Sequence, residues 1–412
     1  MISDIKDKQK INIAFWGAHF SWDGGIDLLV YLLNGLNSVK EKYHLSIYFV
    51  LPNDTISKLK YFILDTKTSL KKGRLPLFKK KQINDRIRSA IHNLDPEVQF
   101  IYYNYTQSDL INKLNSINCS VLLPVVNILP NNFSFPWIGY IPDLQHISLP
   151  HFFSFKEKES RDRRYFALLK NAPSIIVNAK SVKEELEITY GNSENVFNLS
   201  FLPPFIPTDF SEKELINKKY KIENSYFIIC NQFWKHKDHL IAFKAFSMLI
   251  KDPGFKEIKL VCTGRMEDER FPEYIDELQK FIITEKLQNS ILLLGFIPKI
   301  DQMILMDESI ALIQPTLFEG GPGGGAVYSA VSLGIRSIIS DIEVNKEIKN
   351  ELVSFFEASN ETSLYIKMKE ILNSHFQKLN LFELENAGNK RTKELGEEFM
   401  AIINTTILRY KK

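Results

Sequence analysis

The chain has 412 residues, of which 44% are hydrophobic and 25% are charged, and its formal net charge is +3. This length suits two domains of ordinary size, and a charge so close to zero gives no indication of nucleic-acid binding. Residues 1–10 are polar and charged, so we expect no secretory signal. Because no apolar run reaches the ~18 residues that span a bilayer, we expect a cytoplasmic protein, soluble or at most peripheral on a membrane.

Short apolar runs alternate with amphipathic stretches along most of the chain. One set of strands is predicted at 11–16, 45–51, 98–103, 121–126 and 174–177, and a second set at 226–230, 258–263, 291–294, 310–314 and 337–340. Helices are predicted at 26–37, 181–190, 239–251 and 271–285. Apolar runs without clean alternation are typical of parallel strands that are covered on both faces. The alternation of strand and helix therefore predicts an α/β protein with doubly wound sheets.

Three prolines mark the best candidate for a domain boundary. Pro203, Pro204 and Pro207 would each stop a helix or a central strand. We expect a first Rossmann-like domain over 1–205 and a second over 206–391. A final helix from about 392 to 412 is predicted to pack back on the first domain. Since ligands bind at the carboxyl ends of strands in open α/β sheets, the loops that follow strands are the informative positions.

The strongest candidate for a binding site is a glycine-rich loop between a strand and a helix. The strand predicted at 310–314 leads to Glu319 and then to glycines at 320, 321 and 323–325, before a helix at 326–333. Glycines let backbone N–H groups approach an anion, and the helix N-terminus adds roughly half a positive charge. A pyrophosphate fits this environment, and the Glu319 carboxylate can accept hydrogen bonds from sugar hydroxyls. The alternative is a solvated surface loop.

Three further loops contain candidate residues. Lys237 follows the sixth predicted strand, where its charge can meet a phosphate across a cleft. Gly24 and Gly25 form a turn between the first strand and the first helix, but they lack the full G-x-G-x-x-G pattern, and a plain tight turn fits equally well. Asp143 and His146 can serve as polar groups on the acceptor side or as a proton relay. A loop aspartate and a structural histidine fit the sequence equally.

In this order, the segments resemble the group 1 glycosyltransferases, a large retaining family whose GT-B fold has two Rossmann-like domains facing across a cleft. The resemblance runs from residue 11 to about 348 and is strongest at 315–348, which contains PTLFEGG and SAVSLGIRSIISDIEVNKEI. NQFWKHKDH at 231–239 and YIPDLQHISLPHFFS at 140–154 resemble the bacterial surface-polysaccharide branch, which includes O-antigen enzymes. The resemblance implies transfer from a nucleotide-diphosphate sugar, a UDP- or GDP-sugar, to a glycan or lipid-linked acceptor. It also implies retained configuration, no cofactor and no obligatory metal.

The resemblance assigns roles to individual residues. Glu319 matches the glutamate that contacts the donor sugar, Lys237 the lysine that binds the diphosphate, and Asp143 an acid near the reacting centre. Gly24 and Gly25 match the N-terminal glycine loop. With His146, Glu319 and Asp143 form the predicted catalytic set. The remaining predicted donor-binding residues are Asn231, Gln232, Arg265, Gly321, Gly323, Gly324, Tyr328 and Ser329.

The sequence departs from the family pattern at three positions. The family's second glutamate falls at Val327 by direct count, or at Ser329 when the motif is aligned on Gly334. A serine can hydrogen-bond a ribose but supplies no charge-assisted bond. The arginine that usually precedes the lysine falls at Gln232, and the histidine of the acceptor-side pair falls at Pro142. These departures leave open a non-catalytic sugar-nucleotide-binding subunit of a polysaccharide assembly complex, and an epimerase on the same fold is a second alternative.

A basic segment in the first domain is a candidate for membrane contact. The stretch from Lys71 to Lys81 reads KKGRLPLFKKK and has six basic residues and no acid. Such a segment can contact anionic headgroups or a lipid diphosphate, with about 1 kcal/mol for each basic residue near a charged membrane. A solvated loop fits the sequence equally well.

Overall fold

The structure is a computed structural model that describes residues 10–20, 22–53, 83–130, 132–191, 193–206, 211 and 213–410. The basic segment from Lys71 to Lys81 and the predicted boundary residue Pro207 lie outside the described residues. Within those residues the chain forms two parallel β-sheets, each with a hydrophobic core on either face. The predicted α/β architecture with two Rossmann-like domains is confirmed.

The first sheet has seven parallel strands within the described residues, in the order β3-β2-β1-β4-β5-β6-β7. They are Ile11–Trp16 (β1), Leu45–Pro52 (β2), Gln99–Tyr103 (β3), Val121–Val125 (β4), Trp137–Tyr140 (β5), Ser174–Val177 (β6) and Val196–Asn198 (β7). Strands β4, β5 and β6 are buried along their whole length, as expected of strands with helices on both sides.

The second sheet has six parallel strands within the described residues, in the order β10-β9-β8-β11-β12-β13. They are Tyr226–Cys230 (β8), Lys259–Thr263 (β9), Ile291–Gly295 (β10), Leu312–Gln314 (β11), Ser337–Ser340 (β12) and Val353–Phe356 (β13). Strands β5, β7 and β13 were not among the predicted strands. Strands β7 and β13 are short edge strands of mostly half-buried residues, which gives a weak apolar pattern. The order makes β8 and β11 neighbours, so the loops after them lie side by side.

Helices connect the strands and cover the sheets. They are Asp23–Ser38 (α1), Lys40–Tyr43 (α2), Ile83–Leu94 (α3), Gln107–Ser116 (α4), Gln145–Ser148 (α5), Phe155–Asn171 (α6), Lys180–Tyr190 (α7), Lys213–Tyr220 (α8), His239–Ile250 (α9), Tyr274–Thr284 (α10), Lys299–Asp307 (α11), Gly324–Ser332 (α12), Glu361–Asn373 (α13) and Leu381–Tyr410 (α14). Within the described ranges, none of these helices is both long and apolar enough to cross a membrane.

The C-terminal helix α14 packs on the first domain, although it follows the second domain in the chain. Phe399, Met400 and Ile403 are buried in the core beneath the first sheet. A Cβ atom at Gly396 would lie 2.3 Å from the carbonyl oxygen of Gly35 in α1, so the two helix backbones are in close contact. Helix α14 begins at Leu381, earlier than the predicted start near 392.

The first helix also begins earlier than predicted. Helix α1 starts at Asp23, because the carbonyl oxygen of Trp22 accepts the N–H groups of Gly25 and Ile26 at 3.0 and 3.2 Å. Gly24 and Gly25 therefore lie in the first turn of a helix, and the prediction of a separate glycine turn was wrong. A Cβ atom at Gly25 would lie 2.7 Å from the Trp22 ring, so the indole packs against this glycine.

Candidate active site

Two polar side chains meet where β8 and β11 end. Asn231 follows β8 and is 8% exposed, and Gln314 closes β11 and is 1% exposed. The Asn231 Nδ2 donates to Gln314 Oε1 at 2.6 Å, and Gln314 Nε2 donates to Glu319 Oε1 at 2.7 Å. The strand order brings these residues together, since β8 and β11 are neighbours in the sheet. Gln314 was not predicted as a site residue, although a polar residue at the end of a buried strand is a recognisable signal.

Glu319 and Lys237 form an ion pair at this edge of the sheet. Lys237 ends the 3-10 turn Lys235–Lys237, and its Nζ lies 2.5 Å from Glu319 Oε1. The two side chains are only 11% and 9% exposed. Burial strengthens such a pair electrostatically but makes it costly to leave either charge unpartnered. The pair therefore joins the two loops that were predicted to bind the donor.

The glycine-rich loop leads directly into helix α12. Gly323 and Gly324 have φ values of 67° and 61°, a conformation that favours glycine. The Gly323 N–H donates to Oδ1 of the buried Asn345 at 2.8 Å. A Cβ atom at Gly324 would lie 2.9 Å from Glu319 Oε2, so this carboxylate oxygen faces the start of α12. Glu319 Oε2 and the N-terminus of α12 therefore lie side by side, and a helix N-terminus favours anions.

A loop of the first domain closes against the glycine-rich loop. A Cβ atom at Gly320 would lie 2.3 Å from the Pro142 carbonyl oxygen and 2.9 Å from the Asp143 Cβ. One at Gly321 would lie 2.7 Å from the Asn178 Cβ. Only glycines fit this approach of the two domains. The structure therefore places the predicted residue Asp143 next to the loop that contains Glu319.

Arg161 of helix α6 neutralises Asp143. Its Nη1 lies 2.7 Å from Asp143 Oδ1, and the two side chains are 24% and 25% exposed. Burial acts to lower the pKa of Arg161, but Asp143, Tyr165 and Glu157 together raise it above its usual value. The Asp143 Oδ1 also accepts the Gln145 N–H at 3.1 Å. Arg161 therefore fixes Asp143 at the edge of the cleft, and this partner was not predicted from the sequence.

A carboxylate of the second domain caps a helix of the first. Glu347 accepts the backbone N–H groups of Lys180 and Ser181, the first two residues of α7, at 2.9 and 2.7 Å. A carboxylate at a helix N-terminus is stabilised by the helix dipole. This contact joins the domains beside the glycine-rich loop.

Comparison with known proteins identifies the second domain. Residues 211–391 match the family model described as glycosyl transferases group 1. The second domain is a group 1 glycosyltransferase domain. A search of curated proteins by sequence found no match for the chain.

Solved structures share the fold of this glycosyltransferase over nearly its whole length. A glycosyltransferase from Rickettsia africae gives a TM-score of 0.59 at 12% identity, over 98% of this chain and 97% of that one. Sucrose-phosphate synthase from Thermosynechococcus elongatus also gives 0.59 at 12% identity, over 98% of both chains. Anabaena HepE in complex with UDP gives 0.58 at 10% identity, over 96% and 97%. The two facing Rossmann-like domains are thus the GT-B fold.

Several predicted donor residues of the glycosyltransferase contact protein groups. Gln232 Oε1 accepts the Arg265 N–H at 2.7 Å, and the guanidinium of Arg265 lies 5.2 Å from the centre of the Phe296 ring. A Cβ atom at Gly264 would lie 1.9 Å from the Asn231 carbonyl oxygen, so the loops after β8 and β9 are in close contact. These contacts shape the wall of the cleft beside Lys237.

Tyr328 and Ser329, on helix α12, are directed into the protein. The Tyr328 ring packs edge-on against Phe201 and Tyr31, with centroids 4.4 and 5.6 Å apart, and burial raises its pKa. Ser329 is 5% exposed, and its hydroxyl donates to the Gly325 carbonyl oxygen at 3.1 Å. Tyr328 therefore belongs to the contact between the domains, and the Ser329 hydroxyl bonds to its own helix.

His146 is held inside the first domain of the glycosyltransferase. It is 1% exposed, and its Nε2 lies 3.0 Å from Asp162 Oδ1. The Tyr190 hydroxyl donates to the same Asp162 oxygen at 2.6 Å. Burial lowers the pKa of His146. The structure therefore does not bring the His146 imidazole into contact with Glu319, and its partners favour a structural role.

Proposed function

We propose that the protein is a retaining glycosyltransferase that moves a sugar from a UDP- or GDP-sugar to a glycan or lipid-linked glycan during bacterial surface-polysaccharide synthesis. The observation that carries the proposal is the Lys237–Glu319 pair at the start of helix α12, opposite Asp143. A cation, a helix N-terminus and a carboxylate in one small space match a sugar diphosphate, which has an anionic end and a hydroxyl-bearing end.

In this proposal the diphosphate replaces Glu319 as the partner of Lys237. Lysine is a compact charge on a flexible stem, so its Nζ can turn from the carboxylate to a phosphate. The amides at the start of α12 bind the same anion. These groups balance the diphosphate charge without a cofactor or an obligatory metal. Transfer in the presence of EDTA should match transfer in its absence, and a loss would show that a metal is needed.

Glu319 then binds the donor sugar and Asp143 lies near the acceptor. Transfer breaks the bond between the anomeric carbon and the diphosphate oxygen and forms one to the acceptor oxygen, while the acceptor proton passes to the departing diphosphate. Asp143, fixed by Arg161, can accept a hydrogen bond from the acceptor hydroxyl. The resemblance to a retaining family supports retention, and HepE in complex with UDP supports UDP as one nucleotide to test.

The acceptor side of the proposal includes the membrane. We propose that the enzyme acts in the cytoplasm and that the segment from Lys71 to Lys81 contacts the inner face of the membrane near a lipid-linked acceptor. Its six basic residues support this. Replacing them with glutamine should weaken sedimentation with anionic liposomes, and unchanged binding would remove this part of the proposal.

Calorimetry with UDP-glucose, GDP-mannose and ADP-glucose tests the donor site. We expect at least one to bind, and Glu319→Ala to lower transfer from that donor by about 10- to 100-fold, the loss of a hydrogen bond to a charged group. Glu343→Ala is the matched control because its carboxylate is 81% exposed and pairs with Lys346 at the protein surface. Equal transfer by wild type and Glu319→Ala would remove Glu319 from the site.

A second candidate is a non-catalytic subunit that binds a sugar nucleotide. The Ser329 hydroxyl favours this candidate, because it donates to the Gly325 carbonyl oxygen and this position has no carboxylate that could bind a ribose. Binding of a donor without hydrolysis or transfer to any glycan acceptor would support this candidate over the enzyme.

A further inference from the structure

We propose that Gln314 and Asn231 are positioning residues that hold the Glu319 carboxylate toward the donor sugar. They form a hydrogen-bond chain of fixed direction, which runs from Asn231 through Gln314 to Glu319. This inference rests on the proposed function, because it takes Glu319 as the group that binds the sugar. It adds two residues that act through Glu319 without contacting the sugar.

The direction of the chain follows from which groups donate and which accept. An ionised carboxylate only accepts, so the side-chain amide of Gln314 must turn its NH2 toward Glu319. Its oxygen then faces Asn231, whose NH2 donates to it at 2.6 Å. The reversed chain would set the Gln314 oxygen against the carboxylate at the observed separation of 2.7 Å. Both amides are nearly buried, so water cannot easily replace a lost partner.

The chain determines which carboxylate oxygen stays free. Glu319 Oε1 receives both Gln314 and Lys237, while Oε2 faces the start of α12 near Gly324. When Lys237 turns to a diphosphate, Gln314 is the donor that remains on Oε1. It sits at the end of a buried strand, so its position is set by the sheet. Gln314 therefore keeps Oε2 aimed at the donor sugar while Lys237 changes partner.

Calorimetry on the full chain separates this role from a general structural one. The probes are UDP-glucose, GDP-mannose and ADP-glucose, each compared with its free nucleoside diphosphate. In Gln314→Leu we expect the dissociation constant of the bound sugar nucleotide to rise about 10- to 100-fold. Binding of the free diphosphate should change less than twofold, because its own contacts are with Lys237 and the start of α12 and none is with Glu319. Gln302→Leu, which removes an amide that donates to Thr263, is the control and should change neither.

The pH dependence of two acidic variants gives a sharper test. In Gln314→Glu, two carboxyl groups at hydrogen-bond distance should share a proton and titrate above the ordinary carboxyl range. The protonated Glu donates to Glu319 as glutamine does, so binding at pH 5.5 should be within threefold of wild type. At pH 8 it should be at least 10-fold weaker. Asn231→Asp should behave in the same way, whereas Gln314→Leu should be weak at both pH values.

Each outcome decides between the proposals. The positioning role would be overturned if a folded Gln314→Leu bound the sugar nucleotide as the wild type does, or if it weakened binding of the free diphosphate equally. It would also be overturned if neither acidic variant recovered binding at pH 5.5. If Gln314→Leu does not fold, the acidic variants decide alone. If none of the three sugar nucleotides binds the wild type, the proposed function fails and this inference fails with it.

Discussion

Removing the Lys237 charge should destabilise the protein by leaving Glu319 buried without its cation. The two side chains are 11% and 9% exposed, so neither charge is well solvated. Breaking a buried pair on one side costs about 3–5 kcal/mol, and Gln314 still donates to Glu319, which places Lys237→Met at the lower end, about 3 kcal/mol. For a domain of this size that is a fall of about 6–12 °C in melting temperature.

Circular dichroism melts and urea titrations of the wild type and three variants, Lys237→Met among them, measure this effect. Lys237→Met/Glu319→Gln removes both charges and should recover to within about 1 kcal/mol of wild type. Lys367→Met is the control, since its partner Glu370 is 55% exposed, and it should cost less than about 0.5 kcal/mol. A Lys237→Met protein that melts with the wild type, or a double variant no more stable than the single one, would contradict a desolvated pair.

Three further predictions concern other parts of the fold. Gly264→Ala should destabilise the protein by more than about 3 kcal/mol, because φ is 142° and the new Cβ would lie 1.9 Å from the Asn231 carbonyl oxygen. Gly295→Ala is the comparison, since the space around Gly295 is open, and it should cost about 1 kcal/mol. Thermal melts measure both variants. Burial lowers the pKa of His239 to about 3, so the free energy of unfolding of the wild type should decrease as the pH drops below about 6.5. In urea titrations at pH 7 and 5, His239→Phe should reduce that decrease by up to about 1.4 kcal/mol per pH unit. An unchanged pH dependence would contradict this prediction. Glu347→Ala should loosen the domains and raise the radius of gyration in small-angle scattering, and an identical curve would show that this cap does not hold them together.

The sequence by itself determined the class of fold and the local character of the donor loop. Apolar runs of four to seven residues separated by amphipathic stretches are a local signal, and ten predicted strands correspond to strands of the structure. A glycine-rich loop before a helix is also local, so an anion site could be proposed at Gly323 and Gly324. The edge strands β7 and β13 were missed because an edge strand is only partly buried and its residues need not be apolar.

Only the tertiary structure decided which groups meet at the site. Lys237 and Glu319 are 82 residues apart in the chain, and they pair because β8 and β11 are adjacent, an order that apolar periodicity does not encode. The same order brings Asn231 to Gln314, and the approach of the two domains brings Asp143 to Gly320. Local patterns specify strands and helices, whereas hydrogen-bond partners depend on strand order and domain contact. The residue types of the site were therefore readable in the sequence, and their connections were not.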